Sequence, residues 1–211
     1  VRRPAETTHP VDVTLSPGVR VVGAVAGCVD GPAPGPVRLR GSRMSATMRL
    51  ELAIDLLCLA AQDPSQVWTG VAVARNPDSS ETSPVMLRLQ VNGSSPAERE
   101  EHARAALREL VEQYHDGLRL ALPLFAKTSW EFVKDTSETK NKAKGKWTTG
   151  GSEYDKEDLD PYHLRAFGFL DFDDLMALDV AGHTLEGEAH RLWDAVTGAV
   201  VELVDQEPSD G

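Results

Sequence analysis

Residues 11–15, Val11-Asp12-Val13-Thr14-Leu15, alternate apolar and polar side chains and run into Ser16-Pro17-Gly18. This pattern predicts a short strand and a turn. A second strand, residues 19–26, hairpins onto it. It is rich in β-branched residues and only partly alternating. Residues 30–36 hold prolines and glycines too densely for either regular structure, so they read as a turn. Val37-Arg38-Leu39-Arg40 predicts a third strand, apolar on one face and cationic on the other. From Ser45 to Ala61, apolar residues at 50, 52–54, 56, 57, 59 and 60 cover nearly the whole circumference of a helix. Such a helix is buried on most sides, and Gln62-Asp63-Pro64 stops it. Residues 67–74 and 85–91 predict two more strands around a loop at 76–80.

Beyond Gly93 the period changes from two to 3.6. Ser95-Pro96-Ala97-Glu98 reads as a capping box with Pro at the first helical position, opening a helix to about His115. Its apolar stripe is Ala103, Leu107, Leu110, Val111, Tyr114 and Leu118. An apolar linker, residues 120–125, follows. Thr128-Ser129-Trp130-Glu131 reads as a second capping box. Residues 140–146, with four lysines, read as a mobile polar loop. Asp160-Pro161 starts a turn, and Asp171 reads as the N-cap of a short helix through Ala177. A last helix is expected over residues 184–205, with Leu185, Ala189, Leu192, Trp193, Val196, Val200 and Leu203 inward. The domain reading is a disordered or linker segment at 1–10, one domain at 11–205 and a frayed tail at 206–211. Within the domain, a sheet-rich core spans 11–93 and a helical part 95–205.

The order strand, turn, strand, buried helix resembles the heart of the PD-(D/E)xK nucleases. The fold class implied is α/β: a nuclease-like mixed sheet flanked by helices, with an added C-terminal helical part. In that family one strand carries an Asp and the next carries (Asp/Glu)-x-Lys. The carboxylates hold a divalent cation and the lysine helps activate water. Laid on this chain, the Asp position falls near Ala26, and the second motif falls on Arg40-Gly41-Ser42. A shift of one or two residues brings in Gly27 or Leu39, but none supplies two carboxylates and a lysine. Ala26, Arg40 and Ser42 are therefore degenerate positions, no catalytic residue and no metal ligand is assigned, and no cofactor is expected.

The chain has 211 residues, 41% of them hydrophobic and 26% charged, which fits an ordinary globular composition. The longest apolar run, residues 56–61, is too short to span a membrane. The first ten residues lack the apolar stretch of a secretion signal, and with no initiator Met the chain reads as a piece of a longer protein. Cys28 and Cys58 are the only cysteines and have no CxxC spacing, which argues against zinc and fits the cytoplasm. The net charge of −11 is uneven. Residues 1–61 hold seven basic and five acidic side chains, whereas residues 150–211 hold three and sixteen. That balance argues against DNA lying across the whole surface, so any contact must be local.

Two cationic groups are candidates for that contact. Arg38, Arg40 and Arg43 stand where a nuclease would keep its metal, and guanidinium forks suit phosphate oxygens. Lys140, Lys142 and Lys144 form the other group. Glu138-Thr139-Lys140 is the chain's only E-x-K, but it lies where a helix meets the lysine-rich stretch, off any strand. Glu153, Asp155, Glu157, Asp158 and Asp160 lack the glycine and glutamate spacing of an EF-hand loop. The six histidines are scattered and read as satisfied or exposed, and no P-loop pattern occurs.

Several blocks together carry a narrower resemblance. They are residues 68–73 (WTGVAV), residues 122–129 (LPLFAKTS), Trp147, residues 160–168 (DPYHLRAFG), and Phe172-Asp173. From about Val11 to Trp193 the chain resembles the C-terminal domain of the RecC family, the gamma chains of exonuclease V, in its actinobacterial form. The resemblance implies a nuclease-like domain without a nuclease site, inactive by itself. It implies RecB-like and RecD-like partner subunits in an ATP-driven helicase–nuclease that repairs double-strand breaks and serves homologous recombination. It also implies local backbone contacts with DNA near the fork. The lysine-rich stretch before Trp147 departs from the family pattern. Two other readings stay open: a protein-binding module with no DNA contact, and an active nuclease using Asp30 with Glu51 or Asp55.

Overall fold

The computed structural model describes residues 6–76, 83–137, 140–148 and 156–203. The chain divides into two compact units, residues 1–108 with 196–211, and residues 109–195.

The first unit is built on a six-stranded mixed sheet. β1 (Glu6–Ser16) and β2 (Val19–Val29) form the expected hairpin, with Val13 opposite Val21 and Asp12 opposite Val22. β3 (Gly35–Arg43) pairs antiparallel with β2 through only two register partners and parallel with β4 (Thr69–Arg75). β5 (Pro84–Val91) and β6 (Val200–Glu202) complete the order β1-β2-β3-β4-β5-β6. A parallel pair needs a crossover, and α1 (Ala46–Gln62) supplies it. Ser45 caps α1 by accepting the Met48 N–H at 3.2 Å. The Asp63 N–H returns to the Leu59 carbonyl at 2.8 Å. Leu52, Leu56, Leu57 and Leu59 are buried against the sheet with Val13, Val25, Ala72, Leu87 and Leu89. α2 (Pro96–Gly117) opens on Ser95, whose hydroxyl accepts the Glu98 N–H at 3.2 Å. The Glu98 carboxylate reaches back to Ser94 rather than Ser95, at 2.8 Å. Arg104 and Arg108 tie α2 to β1 through the carbonyls of Thr14 and Leu15.

Gly35 shows why β3 and β4 can meet. Its φ is +149°, and a Cβ there would lie 2.3 Å from the Thr69 carbonyl oxygen. Only glycine fits that approach.

The second unit is helical: the end of α2, α3 (Ala126–Lys134), α4 (Asn141–Thr148), α5 (Pro161–Phe167), α6 (Phe172–Ala177) and most of α7 (Leu185–Ala199). Its core is Phe125, Phe132, Ala143, Trp147, Phe172, Leu175, Leu185 and Ala189. Trp147 lies 4.6 Å from Phe125, ring to ring, and its indole N–H donates to the Leu170 carbonyl at 3.0 Å.

Four expectations need correction. β1 begins at Glu6, so residues 6–10 are strand rather than linker. The lysine-rich stretch is helix α4 rather than a mobile loop, because Ala143 and Trp147, four apart, bury one face. α3 starts at Ala126, which puts Thr128 and Ser129 inside the helix and buried rather than in a capping box. The last helix stops at Ala199, where residues 200–202 join β5 as β6; pairing to an open sheet edge overrides the helical period.

Candidate functional site

The seat expected to be a degenerate metal cradle is where β2, β3 and α1 meet. Arg38 projects from β3 toward α1. One guanidinium nitrogen donates to the Ala26 carbonyl at 2.7 Å, and another pairs with the Asp55 carboxylate on α1. Gly27 makes room: its φ is +66°, and a Cβ there would come within 3.0 Å of the guanidinium. The Arg38 and Asp55 side chains are 24% and 22% exposed, so the pair is only partly screened by water. Burial pushes the Asp55 carboxyl above the ordinary carboxylate range, although the Arg38 guanidinium pulls the other way.

Arg40, on the same side of β3, faces Glu51 at 3.6 Å, with both side chains more than half exposed. Glu51 and Asp55 do stand one turn apart on α1, but each meets a guanidinium. Ser42 and Arg43 are exposed at the end of β3, where Arg43 is the register partner of Arg75. The three arginines therefore do not converge: two are turned to α1 carboxylates, and the third stands beside another arginine. Asp30 is exposed in the turn after β2. Among the described residues, no group of three or more His, Cys, Asp or Glu side chains is placed to hold a metal ion.

The lysines of the second unit have separate tasks. The Lys140 ammonium donates to the carbonyls of Phe132 and Asp135, closing the C-terminal end of α3, and lies 4.5 Å from the centre of the Phe132 ring. Lys144 pairs with Asp173 at 3.4 Å. The Lys142 side chain is exposed, as is that of Lys146 one turn on. Glu138 and Thr139 lie outside the described residues, as do Glu153 and Asp155.

Of the remaining acids of that stretch, Glu157 and Asp160 serve as helix caps, whereas Asp158 keeps a buried carboxylate oxygen with no hydrogen-bond partner among the described residues. Glu157 is buried and accepts the N–H groups of Lys127 at 3.0 Å and Thr128 at 2.7 Å, at the start of α3. Asp160 caps α5 by accepting the Tyr162 N–H at 2.8 Å. Asp135 accepts from Ser137 and from the Lys142 N–H at the start of α4. The Ser137 hydrogen bonds hold its carboxyl below the usual carboxylate range. The histidines have partners of their own: His183 meets Glu188 at 2.6 Å, His163 the Glu157 carbonyl at 2.7 Å, and His102 the Asn92 carbonyl at 2.9 Å. The Arg38–Asp55 pairing and the Glu157 cap were missed from the sequence. The usable signal for the first was an arginine facing acids four apart on the following helix.

Known proteins match this chain over most of its length. The family profile described as the RecC C-terminal domain matches residues 1–137. Over 188 residues, 87% of the chain, it is 32% identical to the RecBCD enzyme subunit RecC from two strains of Mycobacterium tuberculosis. It spans 16% of the length of those relatives.

Proposed function

The chain belongs to the RecC family, as its C-terminal domain, and from that premise we propose that it is a non-catalytic scaffold and DNA-guiding part of a RecBCD-type helicase–nuclease. In this reading it acts in the cytoplasm beside RecB-like and RecD-like subunits, in double-strand break repair and homologous recombination. Its fold is that of a PD-(D/E)xK nuclease whose site has been lost. The observation that carries the reading is the Arg38 guanidinium lodged between the Ala26 carbonyl and Asp55. A nuclease of that class needs a cation there. A fixed guanidinium beside Asp55 repels a divalent cation at that place.

The DNA contact in this reading is local. Arg38, Lys140 and Lys144 already have protein partners. The other candidates, Arg40, Arg43 and Lys142, are exposed to solvent, Arg40 in a 3.6 Å contact with Glu51. Two cations neutralising two phosphates give a modest, salt-sensitive contribution. The test is binding of forked DNA by the reconstituted complex across a salt series. Arg40→Ala with Lys142→Ala is expected to flatten the salt slope by about 2. An unchanged slope removes these residues from the DNA path. Mg²⁺-dependent cutting that follows the purified domain and stops on chelation overturns the non-catalytic assignment.

A further inference from the structure

The sheet of the first unit has a second face, turned away from α1. Strand alternation sets it. Arg38 reaches Asp55 on α1, and Ala72 and Ala74 are buried on that same side. Val37, Leu39, Val71 and Val73 therefore point the other way. Register places Val37 beside Val71 and Leu39 beside Val73. Met86 on β5 lies opposite Val73. The result is an apolar row, Leu39–Val73–Met86, crossing three neighbouring strands.

This row is open to solvent. Leu39 is 75% exposed and Met86 58%. A solvated sheet face normally shows polar side chains at alternate positions, and parallel pairs are normally covered on both sides. Here apolar side chains occupy both faces of the β3–β4 pair, but only one face carries a helix of the unit's described residues. The open face also has a charge. Arg43 and Arg75, register partners at the end of the same two strands, are both exposed at its edge.

We propose that this face is the docking surface for an amphipathic helix of another subunit, with its apolar stripe on Leu39, Val73 and Met86. Carboxylates flanking that stripe meet Arg43 and Arg75. A helix is the matching shape, because a covered sheet face takes a helix, whereas an added strand takes an edge. The cationic rim selects an acidic helix over a basic one. DNA is a poor occupant: an apolar row offers phosphates nothing. This inference rests on the reading that the chain works within a multi-subunit enzyme.

The test uses the full-length subunit assembled with its partner subunits. Leu39→Glu with Met86→Glu places two charges on the face at positions already exposed, so the subunit alone is expected to keep its melting temperature. Affinity for the partner subunits is expected to fall at least tenfold, and Arg43→Glu with Arg75→Glu is expected to weaken it too. A photo-reactive amino acid in place of Leu39 is expected to cross-link to an acid-flanked helix of a partner subunit. Cross-links confined to the same chain, a second copy or DNA overturn the inference. So does equal affinity of wild type and the Leu39/Met86 double variant. In that second case wild-type assembly leaves the scaffold reading standing. Failure of the wild type to assemble at all overturns the scaffold reading, and this inference falls with it.

Discussion

Replacing Arg38 with Met removes the cation shared by Ala26 and Asp55 while keeping the length of the side-chain stem. Asp55 is then left with a half-buried carboxylate and no guanidinium. Breaking a fully buried pair costs about 3–5 kcal/mol, and an exposed one about 0–1 kcal/mol. At 24% and 22% exposure, the expected loss lies between, about 1–3 kcal/mol. The loss depends on pH in a definite direction. Burial already raises the folded Asp55 carboxyl above its ordinary range, and without Arg38 it rises further. Below the unfolded value the carboxyl is neutral in both states, and its burial costs nothing extra. The cost builds as pH rises from the unfolded value to the folded value, and above the folded value it is complete. The deficit of Arg38→Met is therefore expected to be full at neutral pH and to shrink toward about pH 4. Adding Asp55→Leu removes the stranded charge and is expected to recover most of the loss. Urea unfolding over a pH series measures the deficit, and amide exchange in α1 assigns it to the sheet unit. A deficit that is flat with pH, or a double variant as unstable as the single one, refutes the reasoning.

Two further substitutions probe the frame around the site. Gly35→Ala forces a Cβ to within 2.3 Å of the Thr69 carbonyl at a φ of +149° and is expected to cost about 3 kcal/mol or more. Gly23→Ala, at an ordinary φ and where a Cβ meets nothing within 4 Å, serves as the mild control. Melting temperatures that do not separate the two variants contradict the close approach. Glu157→Gln keeps the shape but not the charge that caps α3, and is expected to cost about 1–2 kcal/mol. Faster amide exchange at Lys127 and Thr128 is the readout, and unchanged exchange there rules out the cap.

The sheet-rich half was legible because its signals are local. Alternation gave the β1–β2 hairpin, the Ser45 cap and Gln62-Asp63-Pro64 bounded α1, and the loss of alternation in α1 marked a helix buried on most sides. The helical half was less legible because its decisive contacts are distant in sequence. Thr128-Ser129-Trp130-Glu131 satisfies a capping pattern locally, yet the carboxylate that caps α3 comes from Glu157, about thirty residues on. The lysines of α4 suggested repulsion, while Ala143 and Trp147 between them supplied the burial that fixes a helix. Residues 200–202 continued a helical period and became a strand because β5 offered an unpaired edge. At the site, the sequence placed Arg38, Arg40 and Arg43 together by proximity alone. Strand alternation and the position of α1 decided which carboxylate each arginine meets, and neither is visible until the crossover is built.

The most direct measurement is a Mn²⁺ titration of the isotopically labelled chain, read as paramagnetic broadening at each backbone amide. With a guanidinium seated between Ala26 and Asp55, the amides of residues 24–28 and of Asp55 are expected to broaden no more than exposed acids elsewhere. Saturable broadening centred on those amides, abolished by Asp55→Asn, contradicts the account.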